Sequence, residues 1–264
     1  MKNLLMSIYN YRGFIGSSIK RDFQSRYKTS MLGAAWLVLQ PLAMIIVYTV
    51  IFAEVMRARM PGDTGPFAYS IYICSGLLTW GFFAELVTRL QTVFVDNANF
   101  LKKINFPRIC LPVISLGASF INFLIIFSLY ILFLAFTGNF PGVYILGMIP
   151  LLIVQIVFSL GLGVTLGVLN VFFRDVSQFM NILLQFWFWF TPIIYIIDIL
   201  PKWASKWLML NPMTGLIVGY QNIFVKNKWP DWSNLYLVGA LSMILLIVAL
   251  HLFRKHSGDM VDEL

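Results

Sequence analysis

Charge is scarce in this chain. Asp, Glu, Lys and Arg make up 11% of its 264 residues, and only 11 of them are acidic. So few charges cannot cover a water-exposed surface, and a mean hydropathy of +0.82 excludes the ordinary soluble globular classes. Cysteine and histidine are nearly missing, with two of each. Cys74 and Cys110 fall in or beside apolar segments expected to end on opposite sides of a membrane, which favours packing over a disulfide or a metal pair. His251 and His256 stand near the end of the last apolar segment with no HExxH arrangement, so no metal site is expected. There is no GxxxxGK[ST] loop to cradle nucleotide phosphates and no DxD pair to hold a metal and a sugar nucleotide. Residues 1–30 lack an uninterrupted apolar run before a small-residue cleavage site, so no cleavable leader is expected. The chain ends in VDEL without the basic or histidine residue that opens an endoplasmic-reticulum retention tetrapeptide.

What is present in abundance is long apolar runs. Six segments, residues 33 to 55, 67 to 90, 109 to 137, 144 to 172, 178 to 197 and 234 to 253, approach or exceed the roughly 20 apolar residues that cross a hydrocarbon core as helix. Runs such as LPVISLGASFINFLIIFSLYILFLAF lack the in/out alternation of membrane barrel strands, so the fold class predicted is an all-α polytopic membrane protein. It would form one domain over 1–264, with an amphipathic segment at 1–30, a bundle at 33–253 and a tail at 254–264.

Orientation follows from the basic residues, which concentrate on the cytoplasmic side. With the N-terminus inside, that side holds Lys2, Arg12, Lys20, Arg21, Arg26, Lys28, Lys102, Lys103, Arg108, Arg174, Arg254 and Lys255. The other side holds Arg57, Arg59, Lys202, Lys206, Lys226 and Lys228. Both termini are therefore expected in the cytoplasm. The net charge of +8 then reports topology, and no nucleic-acid partner is expected.

On the inner face, Ile8, Tyr11, Ile15, Ile19, Phe23 and Tyr27 recur at helical spacing between basic residues. This reads as an amphipathic helix on the inner headgroup layer, with an ordinary basic flank as the alternative. DNANFLKKINFPR, residues 96–108, mixes charge with Phe100, Leu101, Ile104 and Phe106. Asn97 or Asn99 could cap a helix of two turns and Pro107 would stop it, giving a handle for a soluble partner. In the short loop FFRDVSQ, Arg174 and Asp175 either pair locally or meet a partner.

Ionisable side chains inside spans cost about 2.5–3.5 kcal/mol each on insertion scales. Glu85 and Arg89 are four apart in the favourable acid-first order and are expected to neutralise one another. Ser115, Ser119 and Asn122 form one polar stripe; Gln178, Asn181 and Gln185 form another, suited to interhelical bonding or a wet cavity wall. Ser159, Gly163 and Gly167 make a small-residue ridge for close helix approach. The FWFWF run, Phe186 to Phe190, offers either a sliding surface for a sugar or lipid chain or a lipid-facing belt. Beyond it, Pro192, Pro201 and Pro212 interrupt an apolar region, and PKWASKWLML reads as a short interfacial or re-entrant outer helix.

The run RYKTSMLGAAWLVLQPLAMIIVYTVIF at residues 26–52, with LKKINFPRICLPV, FFRDV and NPMTGLIVGYQNIF, resembles the permease subunits of type-2 ABC exporters for polysaccharides, particularly those for O-antigen or teichoic acid. The resemblance covers nearly the whole chain. It implies a six-span permease in the bacterial inner membrane, working as a homodimer with two separate ATPase subunits that supply ATP and Mg. The substrate implied is an undecaprenyl-diphosphate-linked polysaccharide; teichoic acid, capsule, small lipids or drugs are the other exporter cargoes. It further implies that Asn97, Phe100, Leu101, Lys102, Lys103 and Arg108 couple to the ATPase, with Arg174 and Asp175 beside them. Trp36, Gln40, Tyr48, Phe52, Asn181, Gln185, Trp187 and Trp189 would line the channel. An ion-coupled transporter or scramblase stands as the other class, although Glu85 is the one embedded carboxylate that could serve it.

Overall fold

A computed structural model describes residues 2–27, 33–51, 65, 67–103 and 106–263. In chain order the α-helices are α1 (Lys2–Asn10), α2 (Arg12–Tyr27), α3 (Trp36–Thr49), α4 (Ala68–Asp96), α5 (Ala98–Lys103), α6 (Cys110–Phe136), α7 (Met148–Phe172), α8 (Asp175–Trp189), α9 (Lys202–Met209), α10 (Pro212–Lys226), α11 (Trp232–His256) and α12 (Asp259–Glu263). Short 3₁₀ turns precede α3 and α7, and another follows α8. No strand occurs among the described residues.

Four helical stretches are long and apolar enough to cross a membrane: Ala68–Asp96, Cys110–Phe136, Gly142–Phe172 and Leu235–His256. These fall on the second, third, fourth and sixth expected segments. Their ends follow local chemistry. Past α6, Gly138 takes φ +72°, while the Gly138 N–H donates to Ala135 O and the Asn139 N–H to Leu134 O, closing a Schellman motif. Asp231 caps α11 by accepting from the Ser233 N–H at 3.1 Å, and Arg254, Lys255 and His256 complement the dipole at its other end.

α4 is the hub, packing on α7, α10 and α6, while α7 also packs along α11. The small-residue ridge explains the close approach. A Cβ on Gly163 would strike Leu90, one on Gly167 would lie 2.5 Å from Leu90 O, and one on Gly161 would meet the α11 backbone at Leu245–Leu246. Glycines on two faces of α7 thus admit α4 and α11 at once.

The first expected segment is described only through Ile51, as α3 and its last turn, with no buried residue in α3. Phe52, Arg57, Arg59, Lys28 and Ile104 lie outside the described residues.

The fifth expected segment, 178 to 197, is not one helix. α8 stops at Trp189 after 15 residues, because Pro192 has no N–H to continue the ladder and disfavours helical backbone before it. The chain then turns through residues 190–200. Its freed carbonyls find donors: Tyr69 Oη donates to Ile194 O (2.6 Å), Tyr72 Oη to Tyr195 O (2.8 Å), and Gln221 Nε2 to Pro192 O (2.9 Å). Irregular backbone at membrane depth survives only with such internal partners.

α9 and α10 differ sharply. α9 buries no residue, and Trp203 and Trp207 point away from the protein. α10 buries Met213, Leu216, Ile217, Tyr220 and Ile223 completely in the main apolar cluster. An apolar interior, rather than lipid, is what this short helix contacts.

Candidate functional site

The first feature is an ion network at the α2 end of α4. Arg89 Nε donates to Glu85 Oε1 at 3.0 Å, the expected pair one helical turn apart. Arg89 Nη1 also reaches Asp22 Oδ2 of α2 at 3.2 Å, and Asn122 Nδ2 of α6 donates to Glu85 Oε2 at 2.7 Å. The guanidinium therefore ties α2 to α4, Glu85 extends the network to α6, and the arrangement holds the cation between two carboxylates in partly buried surroundings. Arg89 Nη2 is buried with no hydrogen-bond partner among the described residues.

Two cavities meet at this network. One of about 520 Å³ lies between α2, α4, α5 and α6, lined by Arg21, Asp22, Arg89, Asp96, Phe100 and Phe106 among others. The other, about 470 Å³, lies between α3, α4 and α6 and is lined by Trp36, Gln40, Tyr48, Trp80, Glu85 and Asn122 among others. Glu85 and Asn122 face the second cavity, whereas Arg89 and Asp22 face the first.

Of the expected channel residues, Trp36, Gln40 and Tyr48 share that second cavity. Those on α8 do not line it. Trp187 is packed edge-on against Phe83 (5.4 Å between ring centroids) and Trp80 (6.2 Å), and its Nε1 donates to Asn211 Oδ1 at 2.8 Å. Asn181 accepts from the fully buried Gln91 Nε2 at 2.8 Å. Gln185 and Trp189 are exposed on the outer face of α8, beside Phe186 and Phe190.

The expected coupling segment is described as α5 up to Lys103, where the described residues pause before Phe106. Asn97 O accepts from the Phe100 and Leu101 N–H groups at 3.0 Å, but the Asn97 side chain turns back to Val93 O at 2.8 Å. Asn97 thus opens α5 with its carbonyl while closing α4 with its amide. Leu101 is buried, Lys102 is exposed, Lys103 ends α5, and Phe100 lies under the Arg21 guanidinium at 5.6 Å. Arg108 is half-buried just before α6. Across the same end, Phe14 of α2 packs on Phe106, ring centroids 5.5 Å apart. Arg174 and Asp175 are exposed at the start of α8 and do not pair with one another among the described ion pairs. The α7–α8 turn is held instead by buried Asn170, whose Oδ1 accepts from the Ser177 N–H at 3.2 Å.

The amphipathic segment breaks at Tyr11 into α1 and α2. Among its described side chains Ile15 and Ser18 are buried and Ile19 packs on Gly117 of α6, whereas Tyr11, expected on the apolar stripe, is exposed. Ser119 is buried and Ser115 lines the first cavity, so the α6 stripe is divided between packing, a cavity wall and the Glu85 bond.

The described residues are almost wholly helical, with four helices long and apolar enough to cross a membrane, and the ABC-2 type transporter model matches residues 14–225. The chain belongs to the ABC-2 type transporter family. Curated relatives of this permease match along nearly their whole lengths. It is 30% identical to the O-antigen export system permease protein RfbA of Myxococcus xanthus over 100% of both chains. A protein of the same name from Klebsiella pneumoniae is 32% identical over 89% of this chain and 88% of its own. The polysialic acid transport protein KpsM of Escherichia coli is 21% identical over 92% and 93%.

Sequence reasoning passed over four residues of this ABC-2 permease that the structure makes central. Asp22 carries a signal, being the one carboxylate in the first 53 residues. Asn211 carries the helix-start signal of an N-cap residue followed by Pro212, whereas Gln91 and Gln221 carry none beyond being amides in apolar surroundings.

Proposed function

We propose that this chain is the membrane permease of an ATP-driven exporter moving a lipid-linked polysaccharide of O-antigen type out of the cytoplasm. The observation that carries it is the end-to-end match to permeases named for O-antigen export. The KpsM relatives support polysaccharide as the cargo class. These residues hold no phosphate-cradling loop, which supports an ATPase supplied from outside them.

The finer reading is a homodimer with two ATPase subunits, in the inner membrane with both termini cytoplasmic, carrying an undecaprenyl-diphosphate-linked glycan. In this reading the second copy lies against α8, whose apolar Phe179, Ile182 and Trp189 are exposed. The half-length α8, the turn after it and α10 together act as the fifth crossing and its outer gate. α5 and α2 form the inner docking surface, and the Asp22–Arg89–Glu85–Asn122 chain carries their movement to the wall of the second cavity.

The test is to express the chain with its chromosomal neighbours, purify it and identify what accompanies it. A stoichiometric ATP-binding subunit is expected, and replacing Lys102, Lys103 and Arg108 by Ala should lower its retention or its hydrolysis at least ~5-fold, the loss of a few charge contacts. A chain that purifies alone and transports without ATP would overturn the assignment.

A further inference from the structure

The C-terminal tail has no part in the function above, yet it reaches the helix on which that function turns. α12 lies against both α5 and α7. Met260 is fully buried and shares one apolar cluster with Leu101 of α5, Phe94 of α4, Val171 of α7 and Phe253 of α11. The approach to α12 is fixed as well. The Phe253 ring stacks on Phe94 at 5.7 Å, the His256 ring meets Phe172 edge-on at 5.5 Å, and His256 Nδ1 lies 3.3 Å from Asp259 Oδ2.

α5 and α12 are six and five residues long, too short to be stable as isolated helices. Leu101 of α5 and Met260 of α12 are buried in the same apolar cluster. Their sequences are opposite in charge, ANFLKK against DMVDE. Two marginal helices of complementary charge thus meet at one apolar cluster, beside α4 and α7.

We propose that α12 is the seat of α5: a positioning element, with Met260 as its anchor, that keeps the docking helix in register with the ends of α4, α7 and α11. The proposal rests on the reading of α5 as the ATPase-docking helix. In that setting, force applied to α5 passes through the Met260 cluster into the bundle.

The experiment uses the full permease with its ATPase subunit, comparing wild type, Met260→Asp and Met260→Leu by hydrogen exchange and by ATP hydrolysis of the complex. Met260→Asp should raise exchange at residues 98–103 by ~10-fold or more while the amides of α7 and α11 keep their protection, as expected for local opening. Hydrolysis should fall or lose its dependence on the permease, and Met260→Leu should restore both. Unchanged exchange at 98–103, or an equal rise across α7 and α11, would overturn the proposal, the latter because it marks general loosening. Raised exchange at 98–103 with hydrolysis and ATPase retention intact would uphold the seat and remove the docking role of α5.

Discussion

Arg89 is the residue that ties α2 to α4, because its guanidinium holds carboxylates from α2 and from its own helix. Arg89→Ala leaves Glu85 with Asn122 and frees α2 from α4, so the expected loss is about 1–3 kcal/mol, the usual cost of leaving buried polar groups unpaired. Thermal unfolding in detergent checks this, and Asp22→Asn should lose less, since Asp22 is the most exposed member of the network. Gly167→Ala makes a second residue-scale case: its Cβ would press on the Leu90 carbonyl, and backbone cannot step aside. A loss of about 1–3 kcal/mol is expected from that overpacking. Gly239→Ala, which meets nothing within 4 Å, should be neutral or better in the same assay. The Glu85–Arg89 pair was legible in the sequence because helical spacing alone brings i and i+4 together. Asp22 was not, since its partner lies 67 residues away and no periodicity links them.

At the scale of elements, the region after α8 is where pattern and structure part. Apolarity continues from residue 178 to 197, so hydropathy reads one span, yet the helix ends at Trp189 and the turn beyond is held by side chains of α4 and α10. Hydropathy reports what a segment can contact, not whether its backbone stays helical. The same limit hides α10, whose 15 residues are modest in apolarity but line the centre of the bundle. Asn211 joins these parts: it caps α10 through the Met213 N–H, accepts from Trp187 Nε1, and donates to Phe190 O and Thr191 Oγ1. Asn211→Ala should therefore destabilise by about 2 kcal/mol, more than a cap alone, and open residues 190–211 to protease before the rest of the chain. Equal cleavage throughout would show that the cap does not govern this region. The long spans and the small-residue ridge, by contrast, were plain from composition and spacing, because lipid and close packing each demand particular residue types along many turns.

For the whole molecule, the exposed face of α8 is the question of greatest reach. With Cys74 and Cys110 replaced by Ala, a cysteine at position 189 in place of the exposed Trp should cross-link two permease chains in membranes, as a second copy on that face requires. Cross-linking only from positions on the outward face of α11, such as 243 or 247, would move the contact elsewhere. Six-crossing topology is open to the same cysteines, with reagents that cannot cross the membrane.

The depth at which α10 sits also bears on how the chain is made. The helices that could enter a bilayer on their own apolarity all precede it except the last, and α4 must wait for residues 212–226 before the face at Gly76, against which Gln221 lies, has its full set of protein neighbours. During synthesis that part of α4 is left incompletely covered until α10 is made. A nascent chain arrested before residue 212 would be inserted yet hollow, so membrane proteases would be expected to clear it although its first three long spans are already in place.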